Sequence, residues 1–173
     1  RLVSNHELAK TVDTSDEWIQ QRTGIKQRYL VEDERTSDLA VGAARQALKH
    51  AGLSADDIDI IVLATTTPND TFPSTASVVQ KDLGAFNAFA FDIQAVCAGF
   101  VYALGVAESL LKTGQGKRAL VVGAESFSKL LDWDDRTTCV LFGDGAGAVV
   151  LEAGAPVYDW GVLSSVLHTD GRY

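Results

Sequence analysis

Methionine is absent from all 173 residues, proline occurs three times, and cysteine occurs twice. The two thiols, Cys97 and Cys139, each lie inside an apolar segment. They do not form the paired framework of a small secreted domain, so a reducing, cytoplasmic setting is expected. No apolar run approaches the roughly 18 residues that cross a bilayer, and no signal-peptide pattern opens the chain, so no membrane contact is expected. Basic residues are the minority, 15 Lys and Arg against 23 Asp and Glu, for a formal net charge of -8. That balance disfavours nucleic acid as a partner, and an acidic protein partner would need a local basic patch. The first residue is already Arg1 and LHTDGRY carries no stop signal. A piece of a longer chain is therefore expected.

What is present is globular: 46% hydrophobic residues and 22% charged. The length suits one substantial core or one half of a larger pseudo-symmetric protein. The N-terminal third reads as helical. Thr14-Ser15-Asp16-Glu17 has the spacing of a capping box, and Gly24 closes the short helix it would begin. Ser37-Asp38 start a longer helix with Leu39, Ala40, Ala43, Ala44, Ala47, Leu48 and Ala51 on one broad face, stopped by Gly52. From Asp59 the rhythm changes. Ile60–Ala64, Ala88–Ile93 and Ala119–Gly123 are apolar runs of strand length. Helices after Pro73 and after Cys97 separate them, ending near Gly84 and Gly114. Apolar strands alternating with helices predict a parallel sheet covered on both faces.

Thr138-Cys139-Val140-Leu141-Phe142 reads as a further strand, followed by Gly143-Asp144-Gly145-Ala146-Gly147. A phosphate loop would need a helix after those glycines. Ala148-Val149-Val150-Leu151 is β-branched and apolar instead, so a glycine-rich strand connection is expected, with glycines permitting close backbone approach.

The stretch DIQAVCAGFVYAL sets Cys97 where a strand hands over to a helix. Helix amides and dipole there favour a thiolate. Ala95, Ala98 and Gly99 leave room around the sulfur, and the Cys97 N–H could face an oxyanion. These features leave a core thiol and a nucleophile both open. Cys139, in TTCVLF, reads as a core strand residue.

Four separated blocks, TSDEWIQQRTGI, ATTTPNDTFPSTA, DIQAVCAGFVYAL and DWDDRTTCVLFGDGAGAVVLEA, resemble the β-ketoacyl-acyl-carrier-protein synthase III family in order and spacing. The resemblance implies an α/β, thiolase-like fold, layered α-β-α-β-α and built of two similar halves. Residues 1–173 would cover mainly the first half, without its opening strand, and enter the second. It also implies a condensing acyltransferase that starts fatty-acid synthesis, needing no cofactor or metal. Cys97 would take a short acyl group from acetyl-CoA or another acyl-CoA, and malonyl-acyl-carrier protein would lose carbon dioxide and attack the thioester.

Further roles follow from the resemblance by position. Trp18 and Arg136 would sandwich the CoA adenine, with Arg22 and Thr23 near the nucleotide at the tunnel mouth. Phe72, Phe127, Leu141 and Phe142 match positions lining or abutting the acyl pocket, and Phe72 would reach across a homodimer interface. Phe127 is bulkier than the aliphatic residue expected there, which fits a short primer. Taken alone, Trp18 reads as a helix-anchoring core residue and the arginines as solvated charge, while Phe72, Phe127, Leu141 and Phe142 read equally as core packing. The family also uses a histidine and an asparagine from the second half. His168 does not match that position, His6 lies near the ragged start, and His50 is explained by a helix C-terminus. The carrier-protein surface is expected largely in the second half too. The resemblance leaves open a related ketide synthase and a non-catalytic partner subunit, for which an intact Cys97 is superfluous, and the thiol alone leaves open a redox sensor needing a resolving cysteine.

Overall fold

A computed structural model describes residues 1–154 and 161–172. The chain does not begin helical. A short strand β1 (Leu2–Ser4) runs into a single-turn helix α1 (Asn5–Leu8) and pairs antiparallel with β2 (Gln27–Tyr29), flanking helix α2 (Asp16–Thr23). Strands of three residues are too short to leave a period, which is why sequence pattern missed them. The α2 cap falls one residue later than predicted. Ser15 Oγ accepts the Trp18 amide at 3.1 Å, whereas the Thr14 hydroxyl is buried and has no partner among the described residues. Gly24 closes the helix in the left-handed conformation, with φ at 72°.

Helix α3 (Thr36–Ala51) starts just before the predicted Ser37, because the Asp38 carboxylate accepts the Arg35 amide at 2.7 Å. Its buried stripe, Ala40, Val41, Ala44 and Leu48, is narrower than the predicted face, and Ala51 is exposed. Strand β3 (Ile60–Ala64), helix α4 (Thr75–Leu83), strand β4 (Phe89–Ile93), helix α5 (Gly99–Lys112) and strand β5 (Arg118–Glu125) follow in the expected alternation. Strand β6 (Gly145–Glu152) completes a sheet of order β4-β3-β5-β6. β3 lies parallel to both neighbours, but β6 is antiparallel to β5. The sheet is therefore mixed rather than wholly parallel, since only short 3₁₀ turns and loop, and no α-helix, connect β5 to β6.

All five residues of β3 are buried because both faces are covered. Ile61 and Leu63, with Leu120 and Val122, pack under α3 and α4, whereas Ile60 and Val62, with Val121, pack under α5. Each such side chain contributes about 1.5–3 kcal/mol relative to exposure. Gly99, Ala103, Ala107 and Leu111, spaced by four, form the buried stripe of α5. Small residues on that stripe let the helix approach the sheet closely. The segment 161–172 includes a contact with α5, in which Tyr102 donates to the His168 carbonyl at 2.9 Å.

Residues 138–142 are not a strand. Cys139–Leu141 form a 3₁₀ turn, set by Asp135, whose carboxylate accepts from the Thr137 amide and from the Thr137 and Thr138 hydroxyls at 2.6–2.9 Å. A short apolar run cannot separate these outcomes by itself. Cys139 is nonetheless core: it is fully buried with Leu8, Val12, Ile19 and Val140. Of the three alternate glycines, Gly143 alone meets the expectation of close backbone approach, since a Cβ there would lie 2.9 Å from the Arg28 Cβ and 3.0 Å from the Tyr29 carbonyl. Gly145 and Gly147 have open space at that position.

Candidate functional site

Register places the site. Ala64 stands opposite Ile93 on one side and Gly123 on the other, so β3, β4 and β5 end nearly level. Whatever follows those residues emerges at one sheet edge, the carboxyl ends of parallel strands, where open α/β sheets bind ligands. Cys97 follows β4, Phe127 follows β5, and the loop carrying Phe72 follows β3.

Cys97 is a free, exposed thiol in the middle of a 3₁₀ turn, Val96–Ala98, that runs directly into α5. The turn packs tightly on the sheet: a Cβ on Gly99 would lie 3.2 Å from that of Ala64, and one on Gly123 would lie 3.3 Å from the Phe100 ring. Val96 is held at φ 48°, a left-handed conformation costly for a β-branched residue. Such strain persists only where the surroundings impose it. Cys139 is the opposite case. Burial, then the nearby Asp135 charge, pushes its thiol pKa up. A buried, protonated thiol is inert and cannot serve as an accessible resolving cysteine.

Trp18, Arg22 and Arg136 come together. The Arg22 and Arg136 guanidinium carbons lie 4.3 and 5.1 Å from the centre of the Trp18 ring. Arg136 is steered there by the Asp13 carbonyl, which it reaches at 2.9 Å. Trp18 is only half-buried, packed also against the Leu8–Ile19–Val140 cluster, so it is helix anchor and cation platform at once. Thr23 does not join this group through its hydroxyl, which donates to the Ile19 carbonyl at 2.8 Å and accepts from the Ile25 amide at 3.0 Å.

Phe127 and Phe142 also meet, with ring centres 4.6 Å apart and planes tilted by 33°. Leu141, the last residue of the 3₁₀ turn and the one before Phe142, is exposed. Phe72 stands 83% exposed on its loop, so core packing does not account for it. Three carboxylates that sequence reasoning passed over organise this edge. Asp144 accepts from the Val31 and Ser128 amides at 2.8 and 2.7 Å. Asp92 accepts from the Thr75 and Ala76 amides, and Glu125 from those of Thr66 and Thr67. Glu125 closes its strand and Asp92 interrupts an otherwise apolar one, while Asp144 stands between two glycines just ahead of β6. A separate groove of about 720 Å³ lies between α3 and β6, lined in part by Gly42, Ala43, Ala148 and Val150, and contains no predicted site residue.

Residues 91–171 match the family model for 3-oxoacyl-[acyl-carrier-protein (ACP)] synthase III. The whole chain aligns, at 60% identity, with 54% of the β-ketoacyl-[acyl-carrier-protein] synthase III of Rhodospirillum centenum. Over the stretch it spans, the chain belongs to the 3-oxoacyl-acyl-carrier-protein synthase III family. The chain spans about half the length of the curated synthase III relatives it matches. The fold agrees: the crystal structure of the synthase III from Aquifex aeolicus superposes with a TM-score of 0.88 at 52% identity, covering 90% of this chain and 51% of that one. The mixed sheet with helices on both faces is thus the thiolase-like α/β fold. The priming β-ketosynthase from the R1128 polyketide pathway is also similar, with a TM-score of 0.86 at 41% identity, covering 89% of this chain and 46% of that one. Among the described residues, no helix is long and apolar enough to cross a membrane, and no group of three or more His, Cys, Asp or Glu could hold a metal ion.

Proposed function

We propose that the full-length protein is a condensing acyltransferase that starts fatty-acid synthesis, with Cys97 as its nucleophile. The observation that carries this reading is an exposed thiol in a strained turn, where β4 hands over to α5, inside a synthase III sequence. The Cys97 sulfur attacks the thioester carbon of acetyl-CoA or another short acyl-CoA. A carbon–sulfur bond to Cys97 forms, the bond to CoA breaks, and the thiol proton leaves with CoA. Malonyl-acyl-carrier protein then loses carbon dioxide, and the electron pair left behind attacks the acyl carbon. Cys97 departs as thiolate, so one hard condensation becomes two easier steps.

In this reading Trp18, Arg22 and Arg136 bind the CoA nucleotide, with Thr23 beside them at the tunnel mouth, while Phe72, Phe127, Leu141 and Phe142 shape the acyl pocket. The described α-β-α unit is the first of two similar halves. A homodimer is supported by β4, the edge strand of the sheet, and by the exposure of nearby Phe72 and Phe86. Two free cysteines and an acidic composition suit a cytoplasmic enzyme acting on acyl-CoA and carrier protein rather than on nucleic acid. A second reading, a ketide synthase primed by the same CoA thioesters, is favoured by the likeness to the priming β-ketosynthase.

The test is intact-protein mass spectrometry of the full-length protein after incubation with acetyl-CoA. One acetyl adduct is expected, absent in Cys97→Ala and retained in Cys139→Ala. No adduct on the unsubstituted protein, together with a sulfenic acid at Cys97 after mild peroxide, would replace this reading with a redox one. Product analysis with malonyl-acyl-carrier protein or malonyl-CoA separates the two condensing readings.

A further inference from the structure

The strands on either side of β3 each turn a carboxylate back onto the loop that leaves it. Glu125, the last residue of β5, accepts the Thr66 and Thr67 amides at 2.8 and 3.0 Å and the Thr67 and Thr65 hydroxyls at 2.5 and 3.3 Å. Asp92 of β4 accepts the Thr75 and Ala76 amides at 2.7 and 2.6 Å, one on each oxygen. The loop is therefore gripped at both feet, at its start from β5 and at its end from β4. Asn69 braces the middle by bonding Ser37 at 3.0 and 2.7 Å, while its amide reaches the Thr75 hydroxyl at 3.0 Å. Only the apex around Phe72 projects.

The chemistry of the grips is specific. A carboxylate offers acceptors only, and each of these oxygens faces N–H or O–H donors. An amide of the same shape would turn an NH₂ group against a backbone N–H. Asp92 also faces the N-terminal amides of α4, where negative charge is favoured. Both acids sit a few residues ahead of proposed site groups, Asp92 before Cys97 and Glu125 before Phe127. One rigid frame thus spaces the thiol, the Phe127 ring and the Phe72 loop.

We propose that Asp92 and Glu125 are positioning residues that fix the Phe72 loop relative to Cys97 and so set which acyl chains reach the thiol. The selectivity part rests on the condensing-enzyme reading; the bracing of the loop does not.

The experiment uses the full-length protein with Asp92→Asn, Glu125→Gln and Glu125→Asp, the last keeping the carboxylate. Hydrogen exchange over residues 65–76 and over β3 reports the loop and the core separately. Acylation rates of Cys97 with acetyl-CoA and hexanoyl-CoA report selectivity. Loss of a charged hydrogen bond is expected to speed exchange in the loop about tenfold with β3 unchanged, and to shift the ratio of the two rates by about fivefold. Glu125→Asp restores the ratio to within about twofold, as a retained charge-assisted acceptor should. An unchanged ratio despite a loosened loop overturns the proposal, as does exchange that rises equally in β3. An unsubstituted protein that takes no acyl group refutes the condensing reading instead, and exchange with the Glu125→Asp rescue then decides the bracing alone. Should Asp92→Asn fail to fold, the Glu125→Gln and Glu125→Asp pair carries the same decision.

Discussion

Arg136, far along the chain from α2, holds its guanidinium carbon 5.1 Å from the centre of the Trp18 ring. Arg22, one helical turn beyond Trp18, lies at 4.3 Å. A flat aromatic face with two cations suits a heterocycle bearing phosphates, because ring and guanidinium can stack on it while the charges answer the phosphates. In the proposed function such a platform would bind the CoA nucleotide without touching the reacting carbon. In the full-length protein, Trp18→Ala and Arg136→Ala are each expected to raise the KM for acetyl-CoA about tenfold and change kcat by less than about twofold. Steady-state kinetics decide it. A fall in kcat at constant KM would remove these residues from nucleotide binding.

Most of the α/β alternation was legible because β3 and the middle of β5 are continuous apolar runs, the signature of strands buried on both faces, and the edge strand β4 is interrupted only by Asp92. The residues that failed did so for identifiable reasons. Cys139 sits in a run as apolar as a strand, but Asp135 upstream offers its carboxylate to Thr137 and Thr138 and wins the backbone into a turn. β6 is antiparallel because direction depends on the connection, and a loop allows what a covering helix would not. At the site, the junction singled out Cys97 but left its role open, and its reading as a nucleophile, like the pairing of Trp18 with Arg136, came from resemblance, since nothing local brings Arg136 back to α2. Asp92 and Glu125 were invisible because their partners are backbone amides, which no side-chain pattern records.

Phe127 and Phe142 share a ring contact of 4.6 Å at the carboxyl edge of the sheet. A pair of aromatic rings fills depth that an aliphatic side chain would leave open. Phe127→Leu is therefore expected to speed acylation of Cys97 by hexanoyl-CoA relative to acetyl-CoA, by about tenfold for space equivalent to one or two methylenes. The ratio of initial adduct rates in mass spectrometry measures it. Faster loading of the longer chain by the unsubstituted protein would show that Phe127 does not close the pocket.

Val96 occupies φ 48° immediately before Cys97, the proposed nucleophile. Glycine adopts that conformation freely, so Val96→Gly relieves about 1 kcal/mol of strain while admitting other conformations of the turn. The expected result is a Tm that does not fall and acylation of Cys97 that slows by about tenfold, as misplacement of a reacting atom would produce. Thermal melts beside acylation rates test both halves. A variant both more stable and equally fast would make the strain incidental to catalysis.

Asp135 accepts hydrogen bonds from the Thr137 and Thr138 hydroxyls and then from the Thr137 amide, which hold its carboxyl below the usual value of 3.8. A group whose pKa is lower folded than unfolded contributes stability above its unfolded value and loses it as pH falls through the folded one. The turn that orders Cys139 and carries Arg136 therefore weakens in acid, below about pH 4. Asp135→Asn keeps the size of the side chain but removes the titration. It is expected to melt lower than the unsubstituted protein at about pH 7, with the gap closing towards about pH 3, where the native carboxyl is increasingly protonated. Paired melts across that range measure the gap. Loosening of the turn at neutral pH is also expected to expose Cys139 to iodoacetamide, which the folded protein denies it by burial. A gap that stays constant on acidification would mean that Asp135 is not the acid-sensitive hold on this turn, and that the Thr137 and Thr138 hydroxyls serve it equally well protonated.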